Sequence, residues 1–182
     1  FYGVRDGFRR LPIPAYLRPA IGGLLTGLIA LIYPQILGGG YGWMQLAIDG
    51  KLVFGGLVIL ALAKMLTLSF SVASGGSGGV FAPSLFMGAM LGAGYAALLH
   101  QPPAPFVVVG MAAVFAAAAH LPIATMMMVT EMTGGYTLLV PAALAVMVAY
   151  IVKTRLSVRL KYRSIYEAQV RTYDAEGNTG DY

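Results

Sequence analysis

The feature that most constrains this chain is where its charges are missing. Between Lys51 and Lys153 there are only two ionisable charges, Lys64 and Glu131, in about a hundred residues. Across the whole chain 10% of residues are charged and 58% are hydrophobic, whereas soluble domains carry about 25% charged residues. A water-soluble fold of this size has too little interior to hide so much apolar surface, so the natural solvent is a bilayer. Backbone polar groups in lipid must be satisfied within the protein, which leaves helices or a closed barrel. Strict apolar/polar alternation is absent, which argues against a barrel, so the expected fold class is all-α, a polytopic membrane protein with tilted and discontinuous helices.

The net charge of +5 gathers at the two ends. Arg5, Arg9, Arg10 and Arg18 precede the first apolar stretch, and Lys153, Arg155, Arg159, Lys161, Arg163 and Arg171 follow the last. The positive-inside rule places both ends in the cytoplasm. No basic stripe is interleaved with aromatics, so a nucleic-acid partner is not expected. With no cysteine there is no disulfide framework and no thiolate metal site. The segment 1–18 is broken by Pro12 and Pro14 and does not read as a signal peptide. Phe1 opens the chain without a methionine, and the sequence reads as part of a longer protein.

Apolar stretches are expected at Pro19–Leu37, Leu52–Val72, Val80–Leu99, Phe106–Ala119, Pro122–Met132 and Tyr136–Val152. A polar connector joins the first to the second. Gly22, Gly23 and Gly27, and further on Gly88 and Gly92 with Ala96, offer small faces at which helices approach closely. The two segments flanking His120-Leu121 are too short to cross a bilayer singly. Short apolar segments interrupted by Gly and Pro mark discontinuous helices, whose ends bind ions near the midplane in transporters. No internal repeat is evident. The organisation read from this is 1–18, a cytoplasmic basic loop or helix end; 19–152, membrane helices with a re-entrant anion-binding segment at 75–83; 153–171, a cytoplasmic basic connector and the start of a last helix; and 172–182, a polar tail leading toward a further domain.

The strongest local signal is Gly78-Gly79-Val80-Phe81-Ala82-Pro83. Glycines lead into a helix start, with proline in the first turn where it is tolerated. The first N–H groups of a helix have no intrahelical partner, and the macrodipole adds partial positive charge there, so an anion is the natural ligand. The competing structural reading is that these glycines only let two helices cross closely.

Four motifs in order carry a family resemblance. Gly79-x-Phe81-x-Pro83 resembles the GxFxP anion-binding motif of the CLC chloride channels and chloride/proton antiporters. His120-Leu121-Pro122-Ile123-Ala124-Thr125 is similar to their Ala-Pro-Leu-Thr-Gly junction, Glu131-Met132-Thr133-Gly134 to their Glu-Met-Thr-Gly segment, and Ile165-Tyr166-Glu167-Ala168 to their Ile-Tyr-x-Ala helix start. The resemblance implies the C-terminal half of the transmembrane domain, one half of an inverted-repeat fold. It implies that amides at Val80 and Phe81 and the phenol of Tyr166 hold a central chloride, with Gly79 in the anion-binding site and Gly78 and Pro83 supporting. On residues alone Tyr166 would be an interfacial anchor. It further implies a multi-pass membrane location, a homodimer, protons as a second partner, a missing N-terminal half, no cofactor besides the chloride substrate, and no enzymatic activity. The family's gating glutamate has no match here, which leaves channel versus antiporter open.

Lys64 and Glu131, the intramembrane charges, are expected to pair with one another, since such residues are costly unless paired or functional. His120 is expected to be a helix-end residue with a structural hydrogen bond. Two rivals stand beside the transport reading. One is a non-transporting scaffold. The other is an intramembrane serine protease built on Ser77 of Gly75-Gly76-Ser77-Gly78-Gly79 with His120 or His100; its nucleophile elbow requires a preceding strand.

Overall fold

The computed structural model describes residues 2–10, 14–76, 78–134 and 136–157, and among these all regular structure is helical. The eight α-helices are α1 (Tyr2–Arg10), α2 (Arg18–Ile32), α3 (Tyr41–Ile48), α4 (Phe54–Ala73), α5 (Phe81–Leu98), α6 (Pro103–Ala119), α7 (Pro122–Thr133) and α8 (Leu139–Ser157). Among the described residues three segments are long and apolar enough to cross a membrane: α4, α5 and Tyr136–Leu156. With its 20 residues, α4 spans about 30 Å, the thickness of a hydrocarbon core. α6 and α7 have 17 and 12 residues. They are separated where His120 adopts φ 61° and ends α6.

The helix boundaries follow local chemistry. α2 stops at Ile32, short of the expected Leu37, because Pro34 has no N–H to continue the ladder and holds Tyr33 out of the helical region at φ −126°, ψ 75°. A 3-10 turn, Pro34–Ile36, follows. The connector expected to be irregular contains α3. Its Met44 and Ala47 are buried at the i, i+3 spacing of one helix face. α1 lies within the segment read as a basic loop or helix end, with Arg5 and Phe8 turned inward.

The largest helix–helix interface joins α5 to α6, followed by α4 with α5 and α6 with α8. In lipid, helix association is driven by close packing more than by the hydrophobic effect. The seam shows this directly. A Cβ added at Gly88 would lie 2.7 Å from the Cα of Met111, one at Gly110 would lie 2.5 Å from the carbonyl oxygen of Gly88, and one at Gly92 would fall on the carbonyl oxygen of Phe106. The two backbones touch where glycine removes the side chain. Leu85, Phe86, Ala89, Val107, Ala112 and Ala116 fill the space beside the contact and are fully buried.

The first glycine cluster behaves differently from its expectation. Gly22 packs against the end of α4, where an added Cβ would lie 2.6 Å from the carbonyl oxygen of Phe70, but Gly23 and Gly27 meet nothing within 4 Å. α8 exposes Leu144, Met147, Val148 and Ile151.

Candidate anion site at the start of helix α5

The segment after α4 turns sharply. Gly75 has φ 90°, a conformation other residues adopt only with strain, and its amide bonds the carbonyl of Val72. The chain then reaches Val80, the residue capping α5, whose side chain is 3% exposed and packs with Leu68, Val72 and Met87. Gly79 beside it is exposed, and an added Cβ there would meet no atom within 4 Å. These glycines do not mediate a helix crossing. Gly78 approaches Val72 and Ser71 at an ordinary contact distance, and Gly76 meets only the carbonyl of Ser71 and the hydroxyl of Ser74, at the end of α4 that precedes it.

The amides of Val80, Phe81 and Ala82 head α5 with no carbonyl one turn earlier in the helix to receive them. Among the described residues none of them donates to a backbone carbonyl. Pro83 supplies no N–H, so the ladder proper opens with Ser84, whose amide bonds the carbonyl of Val80 at 3.1 Å. No side chain caps the helix and its first turn holds no acid. This end of α5 therefore presents three N–H groups and the positive pole of an 18-residue helix, with nothing anionic in its first turn to neutralise them. The ring of Phe81 stands edge-on to buried Phe115 of α6, centroids 4.9 Å apart at 83°, which ties the first turn of α5 to the last turn of α6.

The two intramembrane charges are not brought together. Lys64 is buried in α4, and its ammonium donates to the carbonyl oxygens of Ile36 at 2.5 Å and Gly38 at 2.7 Å, with the ring of Phe86 5.2 Å away. Glu131 is exposed on α7. The expected pair fails for a physical reason: the turn after α2 leaves carbonyls that α2 cannot use, and a lysine donor satisfies them without a carboxylate.

His120 is a helix-end residue with a side-chain partner, as expected. Its ring contacts the ammonium of Lys153 on α8, with Nδ1 at 3.1 Å, and stands edge-on to Tyr150. The protease arrangement loses its scaffold, since the segment before Gly75 is helix α4 and not a strand. Ser77 and Tyr166 both lie outside the described residues.

Sequence reasoning missed the hydroxyl of Ser84. It is 1% exposed and donates to the carbonyl oxygen of Val80 at 2.7 Å. The signal available was its position four residues after Val80, where a helical serine reaches back one turn.

Broken apolar helices, three of crossing length, and a bare amide terminus at a glycine-rich break define a multi-pass integral membrane protein. Residues 1–154 match the profile of the family described as voltage gated chloride channel. A putative chloride channel protein ClcB-like of Ralstonia nicotianae is 33% identical over 154 residues, covering 81% of this chain and 36% of that protein. The H(+)/Cl(−) exchange transporter ClcA of Cronobacter sakazakii is 32% identical over 164 residues, covering 86% and 35%. ClcA of Salmonella agona is 33% identical over the same length. The chain belongs to the voltage-gated chloride channel, or CLC, family. It spans about a third of the length of the curated relatives it matches, and the family match ends before Tyr166.

Proposed function

We propose that this chain supplies the C-terminal half of the anion pathway in a chloride channel or chloride/proton antiporter. One observation carries the reading: α5 begins with three amides that find no backbone acceptor among the described residues, no capping side chain and no acid, behind a glycine with open space around it. Neutral N–H donors hold a monovalent anion without a full counter-charge, so the ion can also leave, as conduction requires. In this reading the amides of Val80 and Phe81 face chloride, Gly78 and Gly79 keep the approach clear beside them, and Pro83 stiffens the first turn. The phenol of Tyr166 donates to the same ion. The rest of the transmembrane domain closes the site from the other side, and the whole protein works as a homodimer with one pathway per subunit. Both basic ends lie in the cytoplasm. Chloride is the substrate, and no cofactor takes part.

The test is simultaneous measurement of chloride and proton flux from liposomes containing the full-length protein. Chloride efflux with opposed proton movement establishes an exchanger, and Tyr166→Ala then weakens coupling. Chloride efflux without proton movement establishes a channel. Folded protein that moves no chloride overturns the anion-pathway reading.

A further inference from the structure

One hydrogen bond near the proposed anion site has a different consequence from similar bonds inside the helices of the described residues. The hydroxyl of Ser84 and its backbone N–H both donate to the carbonyl oxygen of Val80, at 2.7 Å and 3.1 Å. That carbonyl shares a rigid peptide plane with the N–H of Phe81, so whatever fixes the oxygen fixes the direction of the hydrogen on the opposite side. The oxygen points into the helix and the Phe81 hydrogen points out of its start.

Thr67, Ser69, Thr130 and Thr133 make the same backward bond, to the carbonyls of Ala63, Met65, Met126 and Val129. In each of those cases the acceptor peptide lies inside a helix, and its N–H is already spent on the carbonyl four residues earlier. Their hydroxyls satisfy themselves and change nothing else. At Val80 the peptide is the first of α5, and its N–H, that of Phe81, donates to no carbonyl of the described residues. A second donor on the carbonyl also polarises the amide and strengthens its N–H as a donor, since linked hydrogen bonds reinforce one another at low dielectric. Burial preserves the effect, because Ser84 is 1% exposed.

We infer that Ser84 is a positioning residue for anion binding, its hydroxyl orienting and polarising the Phe81 amide through the Val80 carbonyl without touching the ion. This rests on the anion-site reading above. The experiment is chloride titration by calorimetry on the full-length protein in detergent, with thermal melting of each variant alongside. Ser84→Ala is expected to weaken chloride binding about threefold to tenfold, the range of one ordinary hydrogen bond, while Ser84→Thr, which keeps the hydroxyl, binds as the parent does. Thr67→Val, which removes the same kind of bond away from the site, should leave affinity unchanged.

The inference is overturned if folded Ser84→Ala binds chloride as tightly as the parent, or if Ser84→Thr is weakened equally, which would make side-chain volume the cause. If Ser84→Ala does not fold, Ser84→Cys has a similar shape with a weak donor and is expected to show the same loss; parent-like affinity there overturns the inference too. A parent protein that binds no chloride at all overturns the anion-site reading first and this inference with it, a result separable from every variant effect.

Discussion

Two glycine-rich regions of this chain use the same residue for opposite ends. At Gly88, Gly92 and Gly110 the missing side chain lets α5 and α6 close until their backbones touch, and any added carbon would strike main-chain atoms. At Gly79 an added carbon would strike nothing, and the missing side chain leaves an approach to bare amides open. Both regions read in sequence as small residues in an apolar chain, and composition does not separate them. Position relative to the helix does: the closing glycines sit in helix interiors, Gly88 and Gly92 four residues apart on α5 and Gly110 opposite them on α6, while the opening ones precede a helix start.

The comparison breaks most visibly at the seam. Gly92→Val should cost about 3 kcal/mol or more, the upper end of overpacking, because the atoms it meets are the backbone of Phe106 and Val107, which cannot swing aside. Loss of monodisperse protein on size exclusion, or a melting temperature lowered by many degrees, checks this. A folded Gly92→Val variant with unchanged melting would show that α5 and α6 are not held by contact at that point.

Lys64 belongs with the closing group. It ties the turn at Ile36 and Gly38 to α4, where Gly40 makes room for the ring of Phe86. Lys64→Met keeps the stem and removes the donors, leaving two carbonyls without their partner, a cost of about 2–4 kcal/mol. The same melt reads it. Since Lys64 does not pair with Glu131, Glu131→Gln should not reproduce the loss, and an equal loss in both variants would restore the ion pair that the geometry replaces.

Gly79→Ala separates the two regions most sharply. Its stability should stay within about 0.5 kcal/mol of the parent, because the new methyl meets open space. Chloride affinity should nonetheless fall about tenfold, ~1.4 kcal/mol, because that space is the approach to the amides. Melting and calorimetry on one sample check both halves. A variant that loses stability and keeps affinity would move Gly79 into the closing class.

How much of this was legible follows from which interactions leave a mark in sequence. The crossing helices, the break at His120-Leu121 and the glycine lead to Phe81 were legible, because apolar length, proline and glycine are themselves the cause of those features. α3 was not, because Tyr41–Ile48 is only two turns long and sits among glycines and polar residues that read as a connector. The partner of Lys64 was not legible either. A sequence shows side chains, and Lys64 chose backbone carbonyls 26 and 28 residues away. Ser84 was hidden for the same reason: its acceptor is a main-chain oxygen, and its importance comes from that peptide being the first of α5 and not from the serine itself. Gly23 and Gly27 look like Gly22 in sequence, and only the path of α4 decides that Gly22 alone is pressed.

The smallest effect provides the baseline for the others. In the connector after α3, the carboxylate of Asp49 accepts from Gln45 and from Lys51, both at 3.0 Å. The Gln45 bond first, and then Lys51, hold its pKa below the ordinary carboxylate value. A depressed folded pKa means that the stabilisation is present above the unfolded pKa and is lost as pH falls through the folded one. Raising the pH through neutrality should therefore change nothing at this site, and any loss should be confined to pH below about 4. The residue is exposed, so solvent screens the pair and such contacts contribute little. Asp49→Asn is thus expected to shift the neutral-pH melting temperature by no more than the scatter between preparations, and to flatten whatever slope the parent shows in acid. A large shift at neutral pH would mean that this connector is packed in the assembled protein, and Asp49 would then have to be counted with the seam glycines among the groups that hold the helices together.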